Sequence, residues 1–194
     1  MMMAQIQQED KVNLSAKKFN MWIFIFTSFM FFAALTSGFI VYIGGRGGKA
    51  LDMQLPSAFM YSTAIIALSS ITMFMASTAA KHLQFGKQRL YLWVTILLGV
   101  AFFAIQVYAW GSLVKMGAFL VNTNASQSFI YIFTGTHLLH IIAGLALLGY
   151  TLYAAYRNKP QVKNLYNMQM SSIFWHFVDI IWIYLYVFLL LNQH

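Results

Sequence analysis

The sequence has no cysteine and very little charge, and each shortage narrows the kind of protein it can be. None of the 194 residues is a cysteine, which excludes a disulfide framework and any metal site built from thiolate ligands. Only 8% of the residues are charged, whereas a soluble domain is typically about a quarter charged. The chain therefore lacks the polar residues needed to cover a surface that faces water.

Hydrophobic residues are abundant instead, at 60% of the chain, and they gather in long runs. One helical crossing of a bilayer core needs roughly 20 apolar residues. Five segments free of Lys, Arg and Glu reach that length: Phe19–Ile43, Ser57–Ala80, Leu90–Val114, Ser126–Tyr156 and Gln169–Leu191. Helices are expected because lipid offers backbone groups no hydrogen-bonding partner. We predict an all-α polytopic membrane protein, with a polar cytoplasmic tail over residues 1–18 and a five-transmembrane-helix bundle over residues 19–194.

Turn-forming residues separate several of these runs. Glycines in Gly44–Lys49 supply flexible backbone, and Asn122–Ser128 interrupts an uncharged stretch. Pro56 is expected in the first turn of the second helix, where a missing N–H costs little. Arg157–Pro160 closes the fourth helix.

The twelve basic residues are divided unequally between the two ends of the predicted helices, and the net charge is +8. Nine fall on the side of the N-terminal tail and three on the other side. Because cationic loops remain in the cytoplasm, the N-terminus is predicted inside and the C-terminus outside. All twelve lie in short connecting segments, with no basic face on any one element, which favours anionic lipid headgroups as partners and not nucleic acid.

Four ionisable side chains lie within the predicted spans, where charge is costly and usually functional. His137 and His140 are three residues apart and share one face of the fourth helix, and His176 and Asp179 repeat that spacing on the fifth. With a rise of about 1.5 Å per residue, His140 and Asp179 both lie about 12 Å from the inner surface. We therefore expect a contact between His140 and Asp179, with His176 nearby.

Three interpretations of this cluster remain open. Histidine is the commonest metal ligand, but a bis-histidine haem site needs facing histidines on two helices, and no second pair is present. A proton relay needs a chain of titratable groups, and the spans contain one acid. A hydrogen-bonded polar cluster that fixes helix packing is favoured, because interhelical polar contacts join helices in membranes. Small residues that allow close helix approach support this interpretation: Gly38, Gly99, Gly135, Gly144 and Gly149.

Four segments in order along the chain resemble the motifs of one family. FWHFVDIIWIYLYVFLL, from Phe174 to Leu190, resembles a closing W-H-F-V-D-x-x-W-x-x-x-Y helix, and TGTHLLHIIAG, from Thr134 to Gly144, is similar to G-x-H-x-x-H-x-x-x-G. MWIFIFTSFMFF, from Met21 to Phe32, resembles M-W-x-F-x-x-S-E-x-x-F-F, and Gln106 with Trp110 fits Q-x-x-E-[YW]. Together they resemble subunit III of the haem-copper oxidases (cytochrome c oxidase subunit III and its quinol oxidase relatives), in the short five-helix bacterial form.

The resemblance implies an accessory subunit in the bacterial inner membrane, with no catalytic residues, metal, haem or copper of its own. It implies that haem and copper belong to partner subunits, that the chain packs on the catalytic subunit I beside other oxidase subunits, and that a cleft holds structural phospholipid. A larger respiratory supercomplex is left open. On this basis six residues become candidates for a structural polar cluster or lipid cleft: His137, His140, Trp175, His176, Asp179 and Trp182.

The sequence departs from the family pattern at three intramembrane positions. The family commonly has glutamate where this chain has Ser28, Ala109 and Gln169, so Asp179 is the one acid kept in the spans. In relatives the position of Ser28 is the one most associated with proton entry. A chiefly structural role is therefore expected, in place of proton delivery through that position.

Other functions compete with this prediction. The same motifs fit a subunit III of a quinol oxidase or an accessory subunit of a nitric oxide reductase. A stand-alone transporter belongs to another class, and the small intramembrane charge and the lack of an internal repeat or broken helices speak against it. A b-type haem protein is opposed by the number of histidines on each helix.

Overall fold

The computed structural model describes residues 2–45, 51, 55–120, 125–157 and 161–193, and this part of the chain contains helices and no strand. The five helices are α1 (Met2–Gly45), α2 (Ala58–Lys81), α3 (Phe85–Lys115), α4 (Ala125–Tyr156) and α5 (Gln161–Leu191). All five contain a segment long and apolar enough to cross a membrane. The prediction of an all-α, five-span membrane fold is confirmed.

Helices α1 and α5 begin well before the apolar segments that predicted them. Helix α1 begins at Met2 and continues through the predicted tail boundary at residue 18, and α5 begins at Gln161, eight residues before Gln169. The predicted bounds were read from apolarity, which reports the part of a helix that lies in lipid. A helix that continues into the aqueous phase keeps its hydrogen bonds while its side chains become polar.

The break before α2 differs from the prediction. Pro56 lies two residues before Ala58, outside the first turn of the helix, and its carbonyl accepts a hydrogen bond from the Phe59 N–H at 3.0 Å. The predicted turn segments at 46–49, 122–124 and 158–160 lie outside the described residues.

Four of the helices form a closed bundle. Each of α2, α3, α4 and α5 packs against two of the other three, in the cyclic order α2, α3, α4, α5. Helix α1 lies outside this ring along the seam between α4 and α5, and among the described residues it has no packing against α2 or α3. Helix α5 therefore contacts three helices.

Two helix ends share one turn motif. After α3, Gly117 has a φ of 82°, and the Ala118 N–H bonds to the Leu113 carbonyl at 3.1 Å. After α2, Leu83 has a φ of 60°, and the Gln84 N–H bonds to the Ala79 carbonyl at 3.0 Å. This is the Schellman arrangement, in which a left-handed residue reverses the chain. The left-handed conformation suits glycine and is unfavourable for leucine.

The buried face of α5 carries the largest side chains of the core. Trp175, Trp182 and Leu189 follow one another at seven-residue intervals, so they lie on one side of the helix, and all three are fully buried. Trp182 and Leu189 belong to the larger hydrophobic cluster, and Trp175 belongs to a second cluster formed with α2, α3 and α4. Both tryptophans are also residues of the predicted site.

Candidate functional site

Hydroxyl groups of α2 hold both buried tryptophans of α5. The Trp175 indole N–H donates to Ser69 Oγ at 3.0 Å, and the Trp182 indole N–H donates to Thr63 Oγ1 at 3.0 Å. A buried indole N–H without a partner would cost about 1–3 kcal/mol. The two bonds therefore fix the rotation of α5 relative to α2.

Two further hydroxyls of α2 bond to α3. Gln106 Nε2 donates to Ser62 Oγ at 3.1 Å, and Thr72 Oγ1 lies 2.8 Å from Thr95 Oγ1. Ser62, Thr95 and Gln106 are all fully buried. Since lipid cannot replace these bonds, they join the α2–α3 hairpin from within.

The indole of Trp175 is enclosed by two glycines on different helices. A Cβ atom placed on Gly99 would lie 2.7 Å from Trp175 Cη2, and one placed on Gly144 would lie 3.0 Å from Trp175 Cε3. The prediction of close approach is confirmed at these two positions. A Cβ placed on Gly38 or Gly149 would have no neighbour within 4 Å, and one placed on Gly135 would lie at an ordinary 3.8 Å from Trp110 Cζ2.

His137 is fully buried among aromatic rings. Its ring lies 5.0 Å from the Trp182 ring and 5.8 Å from that of Phe102, centroid to centroid, and 6.5 Å from Phe32. Neither ring nitrogen has a hydrogen-bond partner among the described residues. His137 thus belongs to the predicted group of buried residues, and its visible contacts are aromatic packing with α1, α3 and α5.

His140 faces α1. Its Nδ1 lies 2.9 Å from the Thr136 carbonyl, which can only accept, so Nδ1 carries the hydrogen. In the neutral ring Nε2 then accepts, and the Ser28 hydroxyl lies 3.3 Å from it. The ring also packs against Phe32 and Phe24, at centroid distances of 5.3 and 6.1 Å.

His176 and Asp179 face α2. His176 Nδ1 lies 2.6 Å from Ser70 Oγ. The Ser70 hydroxyl also lies beside the Asp179 carboxyl, but neither carboxyl oxygen has a hydrogen bond of ordinary distance and angle within the described residues. Asp179 is 3% exposed.

The predicted contact between His140 and Asp179 is therefore wrong. The described contacts place His140 against Ser28 of α1, and Asp179 beside Ser70 of α2. Matching depths along two antiparallel helices fixes the height of each side chain, and it does not fix the rotation of each helix about its own axis. The single cluster predicted for α4 and α5 is two sites that involve different helices.

The three positions where the family commonly has glutamate lie on three different helices. Ser28 of α1 is buried and contacts His140. Ala109 of α3 is fully buried in the larger hydrophobic cluster, and Gln169 of α5 is exposed. A carboxylate at position 28 would be next to the His140 ring, and serine keeps a polar contact there without the charge.

An open groove lies between α1 and the α4–α5 seam. It has a volume of about 600 Å³. Its walls are mostly apolar, with Lys17 and Asn20 as the polar residues, and the others are Met21, Phe24, Ala143, Ala146, Leu147 and Phe174. The Phe24 ring also packs at a tilt against the His140 ring, so the groove adjoins the α1–α4 polar contact.

Sequence reasoning missed a polar contact between the start of α3 and the start of α5. Gln88 and Asn164 are buried and exchange two amide hydrogen bonds, each of 3.2 Å. It also missed the hydroxyls of α2. For the latter a signal was available, because Ser62 and Ser69, and Thr63 and Ser70, are pairs seven residues apart and therefore lie on one side of a helix.

The described residues contain no group of three or more His, Cys, Asp or Glu side chains that could hold a metal ion. The helices and contacts define a multi-pass helical membrane protein in which buried polar side chains bond one helix to another. The profile of the cytochrome c oxidase subunit III family matches residues 49–192. The chain belongs to this family, the subunit III of haem-copper oxidases.

Curated relatives agree over most of the chain. The chain is 29% identical over 184 residues to cytochrome c oxidase subunit 3 of Bacillus subtilis (strain 168), covering 91% of this chain and 87% of the relative. It is 34% identical over 169 residues to probable cytochrome c oxidase subunit 3 of Nocardia farcinica (84% and 82%). It is 31% identical over 169 residues to cytochrome bo(3) ubiquinol oxidase subunit 3 of Pseudomonas aeruginosa (85% and 79%). Membership implies a complex with other oxidase subunits.

Proposed function

We propose that this chain is a non-catalytic subunit of a respiratory terminal oxidase in the bacterial inner membrane, where it stabilises the catalytic subunit and binds structural phospholipid. The observation that carries the proposal is the family match together with the use of the polar groups of α2, two of them buried and two half-buried. Each of the four bonds to another helix: Ser62, Ser69, Thr63 and Ser70. Groups used in this way support a rigid bundle and leave the chemistry to other subunits.

The outer surface of the bundle supports binding to protein and lipid. Phe26 and Phe74 are about two-thirds exposed, and Ile180 is similar. In water such a surface would be unfavourable, but in a membrane it can face acyl chains or another apolar subunit. The catalytic subunit I of a haem-copper oxidase is the proposed partner, with other oxidase subunits beside it and a larger respiratory supercomplex left open.

The electron donor of the complex is proposed to be cytochrome c, with a quinol as the alternative. Relatives named as cytochrome c oxidase subunits and as ubiquinol oxidase subunits are similar to this chain to nearly the same degree. Measuring oxygen consumption by the purified complex with reduced cytochrome c and with a reduced quinol distinguishes the two. Oxygen consumption with the quinol and none with cytochrome c would show that the electron donor is a quinol.

The accessory role is tested by Trp175→Ala. Removing the indole leaves a cavity between four helices, and deleting a buried tryptophan side chain typically costs about 3–5 kcal/mol. We expect less assembled oxidase in the membrane, with unchanged oxygen turnover per haem in the complexes that do assemble. Trp93→Ala is the matched control, because Trp93 is 48% exposed, and it should leave the yield unchanged. A fully assembled Trp175→Ala complex with no oxygen reduction would contradict the proposal.

The groove between α1 and the α4–α5 seam is proposed to hold one structural phospholipid. Its apolar walls, Phe24, Leu147 and Phe174 among them, suit an acyl chain, and the Lys17 ammonium and Asn20 amide suit a headgroup. One end of the groove is lined by Lys17, which lies just before the apolar part of α1, and basic residues at the ends of apolar spans are where headgroups are expected.

Filling the groove tests the lipid site. Ala146→Phe places a ring in the groove, whereas Ala104→Phe places the same ring on an exposed position of α3 that does not line it. Native mass spectrometry of the complex should show less retained phospholipid with Ala146→Phe than with Ala104→Phe. Equal lipid retention in the two variants would contradict the proposal that the groove binds a phospholipid.

The orientation proposed for the chain places the N-terminus in the cytoplasm and the C-terminus outside. It is supported by the loop charges: the short α2–α3 connection is flanked by Lys81, Lys87 and Arg89, whereas Lys115 alone ends α3. This assignment places the Lys17 end of the groove at the inner leaflet.

A further inference from the structure

Asp179 is an acid in an unusual place. The chain has four acidic residues, and the other three are Glu9, Asp10 and Asp52. Asp179 alone lies within an apolar span of the described helices. It is 3% exposed, and neither of its carboxyl oxygens has a hydrogen-bond partner within the described residues.

Among the residues that the structure describes, no charged side chain hydrogen-bonds to Asp179. Helix α5 packs against α1, α2 and α4. From α2 the group that faces Asp179 is the neutral Ser70 hydroxyl. On α4, His140 bonds to Thr136 and Ser28, and His137 lies among Phe102, Trp182 and Phe32. No side chain of α1 hydrogen-bonds to the Asp179 carboxyl in the described part of the chain.

Two arrangements of hydrogens fit the short contact between Ser70 and His176. In the first, His176 Nδ1–H donates to Ser70, and the Ser70 O–H points to an ionised Asp179. In the second, the Ser70 O–H donates to His176 Nδ1, and a protonated Asp179 donates its O–H to Ser70. Each group has the donors and acceptors that its arrangement needs.

The free-energy cost of burying each form of Asp179 favours the second arrangement. A buried carboxylate pays several kcal/mol of desolvation that one neutral hydroxyl does not offset. A neutral carboxylic acid costs much less to bury, because it is an uncharged polar group. A single hydrogen bond largely offsets that smaller cost.

We infer that Asp179, Ser70 and His176 form an intramembrane proton-binding site, in which Asp179 holds a proton and donates it as a hydrogen bond to Ser70, and Ser70 donates to His176. The chain of bonds runs from α5 to α2 and back to α5. The ligand is a proton, no covalent bond is formed or broken, and the site is separate from the Ser28–His140 contact on α1 and α4. The assignment does not depend on the electron donor of the complex.

Infrared spectroscopy tests the site, because a carboxylic acid has a C=O stretching band that a carboxylate lacks. Difference spectra are recorded on the complex purified through this chain, comparing each variant with the unsubstituted protein at neutral pH. We expect Asp179→Asn to remove one carboxylic acid band, and Ser70→Ala to shift that same band to higher frequency because its hydrogen bond is lost. Asparagine is close in size to the acid and keeps a donor toward Ser70.

Ser69→Ala is the matched control. Ser69 is the neighbouring hydroxyl of α2 and bonds to Trp175, so its loss should leave the band in place. If the Asp179→Asn complex does not assemble, the site is tested by the other two variants. The acid band should shift with Ser70→Ala and should not shift with Ser69→Ala. The inference is overturned if Asp179→Asn removes a carboxylate band and no acid band, or if Ser70→Ala leaves the acid band unmoved.

Discussion

Trp175 contacts three other helices through one side chain. Its N–H bonds to Ser69 of α2, and its ring lies against Gly99 of α3 and Gly144 of α4. Large aromatic side chains contribute most of the contact area in a packed core, and the indole N–H adds a specific bond. Trp175, which stands beside the histidine of the family motif, therefore helps to fix the position of α5 together with Trp182.

Gly99→Ala should destabilise the bundle. The added Cβ would lie 2.7 Å from Trp175 Cη2 and 2.9 Å from Leu145 Cδ2, and overpacking of this kind typically costs about 1–3 kcal/mol. The higher helix propensity of alanine returns at most about 1 kcal/mol. Thermal unfolding of the detergent-solubilised chain, followed by tryptophan emission, should show a lower Tm.

Gly149→Ala is the control for that comparison, because nothing lies within 4 Å of its added Cβ. Its Tm should be unchanged or raised by the gain in helix propensity. If Gly99→Ala is as stable as Gly149→Ala, the close packing of Trp175 against Gly99 is wrong.

The two left-handed turn residues give opposite predictions. Leu83→Gly should raise the Tm because leucine pays about 1 kcal/mol or more in this conformation, and its side chain is 58% exposed. Gly117→Ala should lower the Tm for the same reason, since Gly117 has a φ of 82°. The pair is measured by thermal unfolding, and a lower Tm with Leu83→Gly would refute the turn assignment.

Single residues differ in how far the sequence could predict them. Burial of His137 and Asp179 followed from their place in long apolar runs, and the structure agrees. The turn at Leu83 could not be predicted, because no glycine, asparagine or proline marks it. The partner of His140 could not be predicted either, because spacing along one helix does not specify which neighbour that face meets.

At the scale of elements, α2 is bonded to both of its neighbours in the ring by hydroxyl groups. Ser69 and Thr63 accept from the two tryptophans of α5, and Thr72 lies against Thr95 of α3. The five helices followed from hydropathy because the bilayer sets both length and composition. Their pairing did not, because apolar faces that meet lipid and apolar faces that meet another helix have the same composition.

A double-mutant cycle tests the hydrogen bond between Ser69 of α2 and Trp175 of α5. Ser69→Ala and Trp175→Phe each remove one partner of the same hydrogen bond, so their effects on the free energy of unfolding should not add. The expected coupling is about 0.5–1.5 kcal/mol. Ser69→Ala with Trp182→Phe is the control cycle, because Trp182 bonds to Thr63, and its coupling should be near zero. Equal coupling in both cycles would argue against the specific pairing.

At the scale of the whole molecule, the bundle has a closed ring of four helices and a fifth helix held along one seam. Helix α1 is joined to the rest by a few polar contacts, among them Ser28 with His140 and a 2.8 Å contact between Thr36 and Tyr184. The groove lies along this attachment. Any molecule bound there would contact both α1 and the ring.

The proposed orientation is tested with single cysteines, which is convenient because the chain has none. His82→Cys lies in the α2–α3 connection, and Met116→Cys lies just after α3. In intact cells a membrane-impermeant maleimide should label Met116→Cys and leave His82→Cys unlabelled until the membrane is opened. The reverse pattern would invert the orientation.

As an accessory subunit III of a haem-copper terminal oxidase, this chain should be isolated together with the catalytic subunit. The direct measurement is gentle solubilisation of the native membrane, isolation through a tag on this chain, and identification of the co-purifying proteins with a haem spectrum. We expect a haem-copper catalytic subunit in the isolated complex, with its haem absorption. A monodisperse chain with no partner, or one that carries a haem spectrum by itself, would contradict it.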